Sequence, residues 1–135
     1  MKKVTEDWLE SAKMDLDNIE LIITRESLTP VMSFHAQQAV EKSLKAYLEE
    51  KGIQFRKIHD LVTLYGLLEN ELPQLDKNIL ERLNGLYIDS RYPGELGLLP
   101  EGRPSLEDVR EFYEFAKYVY ETVIKYLDQN CDAGR

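Results

Sequence analysis

Three groups of polar residues in this chain have the types and spacing to do chemistry. The first is His35, Gln38, Lys42, Lys45 and Glu49, three or four positions apart, with Gln37 and Glu41 beside them. On a helix that spacing puts them in one line. Imidazole, amide and ammonium groups so aligned can shape a polar cleft or hold an anion; they can equally form a solvated face. The second group is Arg56, Lys57, His59 and Asp60. An Asp at a helix start complements the positive end of the helix dipole, and a neighbouring His can bond locally; the alternative is that both face a ligand. The third is the run Ser90 to Gly94, SRYPG. Arg91 beside Tyr92 can bind an anion and stack on a base, or the arginine can tie its loop to an acidic helix.

Familiar catalytic signatures are missing. There is no GxGxxG, no GxxxxGK[ST], no HExxH and no GxSxG. Two histidines and a single Cys131 leave no clustered ligand set, so neither a metal nor another cofactor is expected. Cys131 sits where the chain should fray and is a poor nucleophile. A formal net charge of −8 argues against indiscriminate binding to phosphate backbones, yet it leaves room for a small local basic site. One cysteine fits a reducing cytoplasm. No apolar run approaches the ~20 residues a bilayer span needs, and MKKVTEDW lacks the apolar segment of a signal peptide. A cytoplasmic protein with no membrane partner is expected.

The elements that must position these groups are helical. At 135 residues and 43% apolar content, one domain over 1–135 is expected, with its core over about 5–127 and a frayed tail over 128–135. The longest helical pattern runs from Pro30 to Lys51. Thr29 suits its N-cap, Pro30 its first position, and Gly52 a left-handed C-cap. Val40, Leu44, Tyr47 and Leu48 form its buried stripe. Before it, a helix from a Thr5 N-cap to about Arg25 carries Trp8, Ala12, Leu16, Ile19 and Ile23 inward; Asp15, Asp17, Glu10 and Glu20 fall mostly on its other side. A third helix is expected from Asp60 to about Pro73, and a fourth from about Leu75 to Tyr87. Asp89 to Pro104 is a loop rich in Gly and Pro. Ser105 and Asp108 then start a last helix whose inward stripe is Val109, Phe112, Ala116, Val119, Val123 and Leu127. The whole reads as an all-α, up-and-down antiparallel bundle of four to five helices.

The pieces FHAQQAVEKSLKAYLEEKG, HDLVTLYGLL and DSRYPG, followed by an aromatic-rich closing helix, resemble the HEPN domain (higher eukaryotes and prokaryotes nucleotide-binding) from about Trp8 to Leu127. The resemblance implies a HEPN-like bundle that forms a homodimer and a minimal nucleotidyltransferase as partner in a toxin–antitoxin-type pair. It also implies, in many members, a metal-independent ribonuclease with an Arg-x4-6-His motif. Here Arg91 is followed by YPGELGLLPEG, without a histidine, and His59 lies only three residues after Arg56. Without that histidine the usual acid–base group for a ribose hydroxyl is missing. The expected role is therefore a non-catalytic module for a nucleotide or RNA end, with His35, Gln38, Lys42, Lys45, His59, Asp60, Arg91 and Tyr92 as its binding residues. The alternative is a ribonuclease toxin with a degenerate motif. Eight Tyr, four Phe and one Trp also favour an interface between copies.

Overall fold

A computed structural model describes residues 1–89 and 103–133. They form α1 (Lys3–Ile22), a 3-10 turn (Glu26–Leu28), α2 (Thr29–Lys51), α3 (Leu61–Gly66), α4 (Lys77–Asp89) and α5 (Leu106–Ala133). No strand occurs among the described residues. The expected all-α bundle is the observed architecture. Arg91, Tyr92 and most of the Gly/Pro-rich loop lie outside the described residues.

α2 is the hub. It packs against α1, α5, α4 and α3. Its buried residues include Met32, Ala36, Ala39, Val40, Leu44, Ala46, Tyr47 and Leu48, which point in several directions. The small alanines let neighbouring backbones approach from more than one side. A one-sided stripe was expected; a helix surrounded by partners is buried nearly all round. Gly52 ends α2 at φ 70°, in the left-handed conformation that a residue without Cβ adopts freely.

Tertiary partners shift several helix ends. Thr5, expected as the first N-cap, is buried inside α1, which starts two residues earlier. Glu50 at the far end of α2 explains this. Its Oε1 accepts from the Thr5 hydroxyl and from the Lys2 N–H, both at 2.9 Å. α1 stops at Ile22, short of Arg25, because Arg25 N–H turns back onto the Ile22 carbonyl. Thr29 is the first residue of α2 and not its cap; its N–H bonds Glu26 O as the 3-10 turn runs straight into the helix. α3 ends at Gly66 and does not reach Pro73; successive 3-10-type bonds replace it up to Glu71. α4 begins two residues late because Asp76 Oδ1 takes the N–H groups of Asn78 and Ile79.

The expected start of α5 is present as a reciprocal cap. Ser105 N–H donates to Asp108 Oδ2, and Asp108 N–H donates to Ser105 Oγ, both at 3.0 Å. All six residues of the expected α5 stripe are buried. Tyr113 donates to Glu20 and ties α5 to α1; burial, then this carboxylate, pushes its hydroxyl pKa up. The Ser105 N–H, with Arg82 helping, holds the Asp108 carboxyl below its ordinary range. Stability from this cap is complete above the ordinary carboxylate pKa and is lost as pH falls through the depressed value. Ser105→Ala should cost about 1 kcal/mol in urea unfolding at pH 7. Asp108→Asn should also destabilise at pH 7 and should flatten the acid limb of stability against pH between about 5 and 2. An unchanged acid limb would rule out Asp108 as a contributor.

Candidate functional site

A buried carboxylate must find partners or become neutral, and two such groups organise the polar side of α2. Asp15, on α1, is 6% exposed. Its Oδ1 meets His35 Nδ1 and its Oδ2 meets Lys42 Nζ, both at 2.8 Å. His35 and Lys42 are two helical turns apart on α2, so one carboxylate bridges them. Glu41, also 6% exposed, does the same one turn along. Its Oε2 lies 2.9 Å from Lys45 Nζ and 3.2 Å from His59 Nδ1. Gln37 Nε2 donates to Glu41 Oε1 at 3.2 Å, and Gln38 Nε2 donates to Gln37 Oε1 at 2.6 Å. Each carboxylate therefore holds one lysine and one histidine.

Asp15 was expected on the outer side of α1. It lies between Ala12 and Ile19 in the buried stripe, three residues after one and four before the other. That spacing was the available signal, and its charge hid it. The α2 line is not a fully solvated face: His35, Gln38, Lys42 and Glu49 are partly exposed, and Lys45 is enclosed. Lys45 is 5% exposed, and its ammonium lies 5.4 Å from the Trp8 ring centroid and 5.9 Å from that of Phe55. Lys42 is half-buried, and His59 keeps about half its side chain exposed, at 49%.

The expected site residues thus fall into connected and separate sets. Lys45 and His59 share Glu41, which Gln38 reaches through Gln37; His35 and Lys42 share Asp15. Asp60 is directed elsewhere. Its Oδ1 accepts from Thr63 N–H at 2.9 Å and caps α3, while Asn84 Nδ2 donates to its Oδ2 at 2.9 Å. The Asn84 amide, with Thr63, keeps the Asp60 carboxyl below its usual range. Asn84 Oδ1 in turn accepts Leu61 N–H, so this asparagine fastens α4 to the start of α3. Arg91 and Tyr92 lie outside the described residues. Among the described residues no three His, Cys, Asp or Glu side chains converge where a metal ion could sit. No described helix is long and apolar enough to cross a membrane.

Next to the Glu41 cluster is a groove of about 470 Å³, inside the roughly 300–1,000 Å³ range of small-ligand sites. Trp8, Phe55, Lys2 and Arg56 are among its walls. Sequence reading did not single out this groove.

A family profile of the HEPN domain matches residues 5–127. The chain belongs to the HEPN domain family. Two solved structures resemble this HEPN chain over nearly its full length. An archaeal HEPN homologue is 25% identical, with a TM-score of 0.62 over 93% of this chain and 98% of its own. TT1696 from Thermus thermophilus is 18% identical, with a TM-score of 0.72 over 93% of this chain and 99% of its own, and shows the shared fold. No curated protein matches the sequence.

The ion clusters predict a specific energetic pattern. Glu41→Gln leaves the Lys45 ammonium buried with no counter-charge and should cost about 3–5 kcal/mol in urea unfolding. Adding Lys45→Met should recover most of that loss, because a linear apolar side chain fills the same space beside Trp8. Additive losses in the double variant would show that the two groups are not coupled.

Proposed function

We propose that this HEPN protein is a non-catalytic binding module for a nucleotide or a nucleic-acid end, acting with a minimal nucleotidyltransferase in a toxin–antitoxin-type pair. The observation that carries this reading is the pair of carboxylate-anchored clusters on α2. They hold His35, Lys42 and His59 in fixed positions at the edge of the bundle while Lys45 is enclosed. Lys45 is then a positioning residue: it fixes Glu41 and His59 and does not touch the ligand. Arg91 and Tyr92 are proposed to add charge and stacking from the loop after α4. The absence of an Arg-x4-6-His motif in the sequence supports binding without cleavage.

Calorimetry with a nucleoside monophosphate and a short RNA tests this. Wild type should bind, and Arg91→Ala with Lys42→Gln should weaken binding tenfold or more while flattening the salt dependence. Equal affinity in wild type and variant would remove these residues from the site. A ribonuclease reading rests on His59, whose ring is oriented by buried Glu41, an arrangement that suits a general acid or base. If expression of the chain alone arrests growth and His59→Ala relieves it, cleavage replaces binding.

A homodimer is part of the proposal. Leu21, 82% exposed, and Met14, 61% exposed, lie seven residues apart on α1 and share an outward side. Light scattering at micromolar concentration should give a dimer mass, and Leu21→Asp should shift it toward the monomer. A monomeric wild type would overturn this part.

A further inference from the structure

The turn after α2 is built at a cost. Ile58 N–H donates to the Phe55 carbonyl at 2.9 Å and closes a four-residue turn over Phe55, Arg56, Lys57 and Ile58. Its third residue, Lys57, has φ 66°. A left-handed residue there is the pattern of a type II turn, which strongly favours glycine. The strained position is instead occupied by a lysine. Arg56 and Lys57 are both exposed, and among the described residues neither has an ion-pair or hydrogen-bond partner for its side-chain charge. In a chain of net charge −8, two adjacent uncommitted cations are an unusual concentration of positive charge.

Arg56 lines the groove walled by Trp8 and Phe55, and Lys57 follows it in the turn. The two rings meet edge to face, 6.3 Å between centroids and 68° between planes. Both are half-buried, so each also contributes surface to the groove. The buried Lys45 ammonium, held by Glu41, lies against both rings. Lys2 is committed by its ammonium to the Glu49 carbonyl at 2.8 Å. Among the described residues Glu49 is the one carboxylate residue lining the groove, whose wall also includes Lys2 and Arg56. The arrangement offers partly exposed aromatic surface, on which a base can stack, beside a small positive site for an anion.

The geometry points to this groove as the place that takes a base carrying a terminal phosphate, the base against Trp8 and Phe55 and the phosphate on Arg56 and Lys57. The inference rests on the nucleotide-binding reading above and assigns the contacts to a part of the chain which that reading did not use. Stacking on an aromatic tolerates any base, and two cations suit one phosphate group better than a long backbone. A free nucleoside monophosphate and the 5′-phosphorylated end of an RNA share this chemistry.

Trp8 is the only tryptophan in the chain, so its fluorescence reports on this groove directly. The full chain should be titrated with a nucleoside monophosphate, with a short RNA bearing a 5′-phosphate, and with the same RNA bearing a 5′-hydroxyl. Quenching by the first, or by the second and not the third, is expected, and which of them binds more tightly identifies the source of the phosphate. Arg56→Ala should weaken binding about tenfold. Lys57→Gly keeps the positive φ without its strain; it should raise the thermal midpoint and still weaken binding, a combination that a merely structural lysine would not produce. If nucleotide binds by calorimetry while Trp8 fluorescence and the Arg56→Ala and Lys57→Gly variants are unaffected, the ligand sits elsewhere and only this inference falls. If nothing binds by either method, both readings fall. Quenching by a poly-glutamate peptide and not by nucleotides would replace the ligand with an acidic protein segment.

Discussion

A charge removed from water inside a helical bundle needs a counter-charge at hydrogen-bond distance, and this fold meets that demand twice along one helix. Asp15 and Glu41 are each enclosed, and each is answered by a lysine ammonium and an imidazole. The pairing sets where α1 can lie against α2, because Asp15 reaches two groups a fixed two turns apart. It sets the path of the chain after α2 as well, because His59 must return to Glu41. Apolar packing alone would allow α1 to slide or rotate by a small amount at modest cost; a bidentate carboxylate between two partners does not.

The same demand accounts for the low amphipathic character of α2. A helix at the centre of a bundle has only a narrow, partly exposed side to which its polar residues can be assigned. Gln37, Ser43 and Glu41 are accordingly buried, and all three bond within α2 itself: Ser43 Oγ donates to the Ala39 carbonyl, and Gln37 donates to Glu41. The aromatic rings of Trp8 and Phe55 lie close to the Lys45 ammonium and help offset the burial of a cation that Glu41 pairs. The ion cluster and the groove are therefore one construction: its inner surface stabilises the bundle, and its outer surface carries the rings, the strained turn and the unpaired cations. Membership of the HEPN family adds the shape of the bundle, and this chain's own residues add the chemistry of that outer surface.

Helical spacing in the sequence was sufficient for the number and order of the long helices, for the Ser105–Asp108 cap, for the Gly52 stop and for the inward stripe of α5. These features depend on contacts three or four residues apart, which a chain specifies locally. The location of the polar line on α2 was legible for the same reason. Its environment was not, since whether His35 or Lys45 meets water or a carboxylate depends on what another helix presents. Asp15 shows the limit: its position matched the buried stripe of α1, but a single carboxylate reads as solvated until its partners, 20 and 27 residues away, are in place.

Local sequence thus determined the long helices, the Gly52 stop, the Ser105–Asp108 start and which residues were polar along α2. Tertiary structure alone decided that Glu50 extends α1 to Lys3, that Thr29 begins a helix without capping it, and that Asn84 joins Asp60 at the start of α3. It alone brought Trp8, Phe55 and Arg56 to one groove. The physical reason is distance along the chain: a helix is closed by neighbours within a turn, whereas an ion pair, a stapled terminus or a groove is closed by groups tens of residues apart, whose meeting no local pattern encodes.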